Sequence, residues 1–289
     1  MSLLNRLFGG AGHDVAELAR RLDVSEEALR ALQPSYRDFT IPKKKRGERY
    51  ISAPNPELKE IQRRILRRVL GRLRVHPSVT GFERGYSIVS NAACHVGRAV
   101  VLQMDIQFFF PSTTAKRVEA YFRKIGWNRE AAALLVRLCT HKSALPQGAP
   151  TSPRLSNLVN FEMDARLNGL AGKHGAIYTR YADDMTFSFA EDSGEAISLV
   201  IRRTKAILRD SGYRIHDRWK LHVRRRHQRQ MVTGLTVNTR VSLPRDVRRR
   251  LRAVEHHLAT GRTASMSEET LKGWRAFRQM VERQRDALT

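Results

Sequence analysis

The chain has 289 residues, 41% hydrophobic and 28% charged, enough apolar side chains for a sizeable core and too many for a disordered or fibrous chain. Its 53 lysines and arginines stand against 28 acidic residues, a formal charge of +25 that repels itself unless a polyanion sits against it, so nucleic acid is the expected partner. No window approaches the roughly 18 uninterrupted apolar residues that span a bilayer, and the amino-terminal apolar stretch is too short for a signal peptide; a cytoplasmic protein without membrane contact is expected. Cys94 and Cys139 lack any CxxC spacing and read as reduced core thiols.

In chain order, residues 14–33 predict two short helices, with Val15, Leu18, Ala19 and Leu22 on one stripe and Ala28, Leu29 and Leu32 on the next. The cadence is that of a helix-turn-helix. Glu26 and Glu27 at the start of the second helix would repel phosphates, so a packing element is expected instead. A basic, proline-punctuated stretch follows, with RYIS as a strand, and then KEIQRRILRRVLGRL places Ile61, Ile65, Leu66 and Val69 on one helical face and arginines on the other. VVLQMDI reads as a buried strand. Ser112 is the expected cap of a helix carrying Val118, Tyr121, Phe122 and Ile125, and a second helix covers about 129–140. After the turn-rich LPQGAPTSP, Ser152 and Pro153 open a long helix. AIYTRYADDMTFSF alternates as a hairpin with Asp183 and Asp184 at its tip, Met185, Phe187 and Phe189 on one face and Thr186 and Ser188 on the other. A helix over 194–211, short strands ending at VTGLTVN, and a separate basic helical subdomain over 243–286 capped by Ser267 complete the prediction.

A buried strand ending near Asp105 and a hairpin carrying Asp183 and Asp184 suggest three converging carboxylates. Like charges so close call for a divalent cation, and hard oxygen donors suit Mg²⁺, two ions of which can activate a hydroxyl and stabilise a leaving pyrophosphate. An Asp-Asp pair alone is, in most proteins, ordinary turn chemistry.

The surrounding residues resemble the palm of a reverse transcriptase: MDIQFFFPS its first metal-ligand motif, LPQGAPTSPRLSN its glutamine-glycine motif, YADD at 181–184 its signature hairpin. NAACH at 91–95 and VTG at 232–234 are similar to the hallmarks of bacterial retron reverse transcriptases. The resemblance runs from about Ile41 to Asn238 and implies an α+β right-hand polymerase. Its parts would be an N-terminal helical element (1–40), fingers with the start of the palm (41–104), a palm with the catalytic hairpin (105–240) and a helical thumb (241–289).

It further implies that Asp105, Asp183 and Asp184 are catalytic metal ligands, with Asp105 and Asp183 foremost in holding two Mg²⁺ ions. Arg49, a lysine among 43–45, Gln147 and Lys220 would bind the incoming nucleotide, with Phe110 as the ring that excludes a 2′-hydroxyl and Tyr181 beneath the primer end. Phe108 stands where the family commonly has a second aspartate. Asn91, His95, Thr233 and Gly234 are candidate RNA contacts, with internal bracing and a plain tight turn as the alternatives. Arg245, Arg248, Arg249 and Arg252, at i, i+3, i+4 and i+7, form a stripe suited to an RNA backbone.

The implied function is RNA-directed DNA synthesis from dNTPs on a cognate structured noncoding RNA, giving a branched RNA–DNA product used in phage defence. Any effector would be a separate protein, since 289 residues leave no room for an RNase H or nuclease domain after the thumb. The rivals are another bacterial reverse transcriptase, of group II intron or phage-defence type, and a non-catalytic RNA-binding protein with a polymerase fold.

Overall fold

The computed structural model describes residues 12–43, 47–216 and 221–288. The chain forms two compact units, each from two separate stretches: residues up to His76 with Phe108–Glu162, and Pro77–Gln107 with residues from Met163 onward.

In the first unit, helix Val15–Leu22 starts where the Asp14 carboxylate accepts from the Glu17 N–H at 2.9 Å, and helix Glu26–Ala31 starts at a Ser25 cap. Val15, Leu18, Ala19, Leu22 and Leu29 all enter the core, so the pair is the packing element its acidic start implied. Strands β1 (Tyr36–Pro42) and β2 (Glu48–Pro54) pair antiparallel from Tyr36 opposite Pro54 to Pro42 opposite Glu48, well beyond the expected RYIS. Asn55 caps helix Pro56–Arg64, which continues as a π-helical turn, Ile65–Leu70. The wider turn changes the apolar face: Leu58, Ile61, Ile65, Val69 and Leu70 are buried, whereas Leu66 is only half-buried.

Helices Ala115–Lys124, Arg129–Cys139 and Ser152–Val159 close this core through Val118, Phe122, Leu135, Leu138, Leu155 and Leu158. Tyr121 and Ile125, expected on the same stripe, lie at its half-buried margin. Two expected caps move. Ser112 ends a single helical turn, Phe109–Ser112, leaving Thr114 before the next helix, and Ser152 is the first helical residue after Thr151. The expected long helix breaks at Asn160 and resumes as Phe161–Lys173.

The second unit is built on an antiparallel sheet of β3 (Val100–Gln107), β4 (Ala176–Tyr181), β5 (Asp184–Phe189), β6 (Arg214–Ile215) and β7 (His222–Arg225). Its order is β4-β5-β3-β6, with β7 also paired to β3. The near-continuous apolar run of β3 is buried on both faces, as a central strand requires. β5 departs from the expected alternation: Thr186 and Ser188 are buried along with Met185, Phe187 and Phe189, because the second face is also covered. β8 (Met231–Val232) and β9 (Leu235–Thr236) make a tight hairpin whose two turn residues, Thr233 and Gly234, both have positive φ, 47° and 83°.

Helices Ile88–Ala93, Gly194–Asp210 (expected over 194–211), Arg245–Ala259 and Glu268–Asp286 also belong to this unit, the last capped by Ser267 as expected. Leu251, Val254, Leu271 and Val281 of the C-terminal pair share one apolar cluster with Val89, Ala92, Val101, Val232 and Leu235. The basic C-terminal segment thus shares an apolar core with the rest of this unit. Cys139 is buried, which pushes its thiol pKa up to about 12, but Cys94 is exposed, contrary to its expected place in the core. Among the described residues no helix is long and apolar enough to cross a membrane.

Candidate active site

β3 and β5 pair from Val100 opposite Phe189 to Asp105 opposite Asp184. Directly opposed residues of an antiparallel pair project to the same face, so these two carboxylates share one. Asp183 occupies the two-residue turn that joins β4 to β5, after Ala182 in the left-handed conformation at φ 59°. Only Asp183, then, is in the turn, and Asp184 already begins the strand. The Ile106 N–H donates to the Asp183 carbonyl and the His216 N–H to the Asp105 carbonyl, each at 3.0 Å, fixing both aspartates through their backbones. Asp105 is buried, Asp183 half-buried and Asp184 exposed.

Among the described residues no three His, Cys, Asp or Glu side chains are gathered as a ready metal cage. The expected convergence of three carboxylates is therefore not present as a side-chain cluster; what the backbone sets is Asp184, rather than Asp183, in register against Asp105. Such a donor set fits Mg²⁺, which typically takes one or two carboxylates and completes its shell with water and substrate phosphate.

Beneath the turn lies a charged network that sequence reasoning missed. Arg180 in β4 and Asp164 in helix Phe161–Lys173 are both fully buried and form a bidentate pair, Nε to Oδ1 at 2.8 Å and Nη2 to Oδ2 at 2.7 Å. Nη1 of the same guanidinium donates to the Ala182 carbonyl at 2.9 Å, so the pair grips the turn next to Asp183. Burial opposes the Arg180 charge, but Asp164 overrides it and raises the pKa above the ordinary arginine value. The Tyr178 hydroxyl donates to Asp164 Oδ1 at 2.9 Å, and burial, then the carboxylate charge, raise its pKa. The available signal was one acidic residue on an otherwise apolar helix stripe with Leu167 and Ala171, and one arginine inside a buried strand.

Gly81 reinforces the same place. The chain at 78–81 runs along β4, with the Thr80 N–H donating to the Arg180 carbonyl and the Arg180 N–H to the Ser78 carbonyl. A Cβ on Gly81 would stand 2.5 Å from the Ala182 nitrogen, so only glycine permits this approach.

Asn91 and His95, candidate RNA contacts by sequence, are buried inside the second unit. His95 is fully buried with Nδ1 2.7 Å from the Ser188 hydroxyl and Nε2 2.7 Å from the Thr179 hydroxyl, and Asn91 accepts from the Thr80 hydroxyl at 2.7 Å. With these polar groups engaged inside the unit, bracing replaces RNA contact as their role. Burial, followed by the nearby Arg98 charge, pushes the His95 pKa down to about 3, so the ring is neutral, one nitrogen donating and the other accepting.

Thr233 donates its hydroxyl to the Ile88 carbonyl at 2.8 Å, and Gly234 is exposed at the turn. Arg245, Arg248, Arg249 and Arg252 are exposed along one helix, as the stripe predicted. Tyr181 is half-buried, its ring 6.4 Å from that of Phe82.

Other expected site residues belong to the first unit. Arg49 is exposed on β2, and Phe110 is half-buried against the apolar core. The Gln147 carbonyl accepts from the Ser52 N–H at 2.9 Å, anchoring its loop to β2. Phe108 is 70% exposed in the left-handed conformation at φ 48°, which a short polar side chain such as aspartate tolerates better than phenylalanine. Lys220, and Lys44 and Lys45 of the basic run, lie outside the described residues.

Residues 41–231 match the family model for reverse transcriptase (RNA-dependent DNA polymerase). The Retron Ec86 reverse transcriptase of Escherichia coli is 36% identical over 92% of this chain and 82% of its own length. The Retron Mx162 and Mx65 reverse transcriptases of Myxococcus xanthus are 38% and 39% identical over 86% and 85% of this chain, which spans 58% and 61% of their respective lengths. A truncated apo telomerase from Candida tropicalis shares the fold, with a TM-score of 0.50 at 13% identity over 72% of this chain and 55% of its own.

Two outcomes are expected from this geometry. Asp164→Asn leaves a buried guanidinium without its counter-charge and should lower the free energy of unfolding by about 3–5 kcal/mol, read from urea denaturation. His95 contributes stability that is fully present above its unfolded-state pKa, near 6.5. That contribution is lost as pH falls toward about 3. Wild type should therefore lose up to about 1.4 kcal/mol per pH unit more than His95→Gln across that window. Parallel pH profiles in urea midpoints would show that His95 is not held neutral.

Proposed function

The chain belongs to the retron reverse transcriptases, and from that premise we propose that it is itself an RNA-directed DNA polymerase that copies part of a cognate structured noncoding RNA into DNA. The observation that carries this reading is the β3–β5 register, which sets Asp105 opposite Asp184 with Asp183 in the adjoining turn. Reverse transcriptases depend on divalent metal, and Asp105, Asp183 and Asp184 are the residues proposed to hold it here, as Mg²⁺ by their donor chemistry. When bound, such ions lower the pKa of an attacking hydroxyl and offset charge on the leaving pyrophosphate.

The other residues have supporting parts. Arg49 and Lys220 are proposed to pair with the triphosphate, Gln147 to contact the incoming nucleotide, and Phe110 to pack against its sugar and exclude a 2′-hydroxyl. The first unit would act as fingers, the sheet of the second as palm, and helices Arg245–Ala259 and Glu268–Asp286 as thumb. The exposed arginine stripe and the 233–234 turn are proposed RNA contacts, since RNA helices are read mainly through phosphates, 2′-hydroxyls and shape. A branched RNA–DNA product, a separate effector protein and a role in phage defence complete the reading. Sequencing the nucleic acid that copurifies with the protein tests it: a covalently joined RNA–DNA molecule is expected, and unlinked cellular RNA alone would overturn the retron part.

Asp183→Asn and Asp184→Asn should each lower metal-dependent primer extension by about 100-fold or more while RNA affinity is retained, because the change removes a carboxylate without adding bulk. Extension near the wild-type rate by either variant would misplace the metal site. Phe110→Val should raise ribonucleotide incorporation relative to deoxyribonucleotide by about tenfold or more. Unchanged selectivity in an active variant would reduce Phe110 to a core aromatic.

A further inference from the structure

The first unit holds a cavity of about 480 Å³ lined by Arg20, Arg21, Arg67, Arg68, Arg72 and Glu17, with two apolar side chains beside them. Five guanidinium groups meet a single carboxylate there. The π-helical turn Ile65–Leu70 supplies one wall and helix Val15–Leu22 the other.

The five arginines divide by what already holds them. Arg68 donates to the Arg21 carbonyl at 3.1 Å, and Arg21 lies over the Trp127 ring, 5.2 Å from its centroid, with its Nε 2.7 Å from Glu17. These two are committed to the fold. Arg20 and Arg67 keep 74% and 65% of their side-chain surface exposed, despite contacts to Glu17 and Glu60, and Arg72 is exposed as well. Three exposed, permanently charged forks thus rim a concave surface that is partly apolar. Exposed ion pairs of this kind contribute little and are readily exchanged for a better anion.

We propose that this cavity is a docking site for the phosphodiester backbone of a nucleic acid, built from residues other than the aspartates and the C-terminal arginine stripe. Guanidinium groups bind phosphate bidentately and stay charged at any physiological pH, and several of them around one concavity can follow successive phosphates. A net charge of +25 brings a polyanion to the surface, and the concavity gives it a place to stop. The proposal rests on the polymerase reading only for the polyanion being RNA.

The test uses the full chain, a 20-base-pair RNA duplex and a single strand of the same length as probes, with affinity followed against salt. Arg20, Arg67 and Arg72 are replaced together by Gln, and a control variant loses the same charge at the exposed Arg202, Arg203 and Arg209. The cavity variant should bind at least one probe on the order of tenfold more weakly at low salt, with the salt slope reduced by roughly 0.7–0.9 for each phosphate no longer neutralised. The control should change less, and ultraviolet crosslinks should map to the 65–74 peptide. Equal losses in both variants would show only a diffuse field and overturn the site. Competition by polyglutamate as strong as by RNA would assign the cavity to an acidic polypeptide and overturn it too. Wild-type primer extension, measured alongside, separates the two claims: absent extension with a selective loss in the cavity variant would leave the site standing while the polymerase reading fails.

Discussion

The pairing of β3 with β5 must hold a single register, because side chains alternate along a strand and a slip of one residue would turn Asp184 away from the face that Asp105 occupies. Several independent contacts oppose that slip. The two-residue turn at Ala182 and Asp183 limits how the strands can enter it, and the backbone bond from Ile106 to Asp183 ties the turn to β3 itself. His95 bridges Thr179 on β4 and Ser188 on β5, both buried, so displacing either strand would strand a polar group in the interior. Arg180 adds a charged tether, since its guanidinium satisfies Asp164 and the Ala182 carbonyl together.

These buried polar groups explain a division of roles in a chain so rich in arginine. Most of its cations remain at the surface, where they create a field for polyanions, whereas Arg180 is drawn inside and neutralised by a carboxylate at full burial. The same residue type therefore does two unlike jobs, separated by whether a carboxylate accompanies it into the core. At the sheet end the sign reverses, and Asp105, Asp183 and Asp184 form an acidic point in a basic protein. Under the proposed function, electrostatics of that kind would concentrate nucleic acid broadly while reserving one place for a cation.

Much of this was legible in the amino-acid order. The apolar run of β3, the hairpin around YADD and the cap at Ser267 follow local rules that need no distant partner, and each lies where the sequence pattern put it. The misses share a cause. Whether Leu66 or Leu70 is buried depends on a π-helical turn that no hydrophobic period announces. The burial of Thr186 and Ser188 depends on what packs against the second face of β5, and the ion pair of Asp164 with Arg180 joins residues on different elements. His95 was readable as a hydrogen-bonding histidine, but its two hydroxyl partners lie 84 and 93 residues further along the chain. Local pattern specified elements, and tertiary context decided which polar side chains those elements would hide.

The π-helical turn Ile65–Leu70 carries one residue more per turn than the helix before it needs, and such an addition is a change of phase. Each residue of an α-helix advances about 100° around the axis, and the wide turn takes up one residue without that advance, so Leu70 stays in the core and Arg72 at the surface. Length in this segment is therefore constrained in one direction: a single-codon deletion would let the turn close as ordinary α-helix with the same phase beyond it, whereas a further insertion would have no spare turn to absorb it and would re-aim the C-terminal end of the helix.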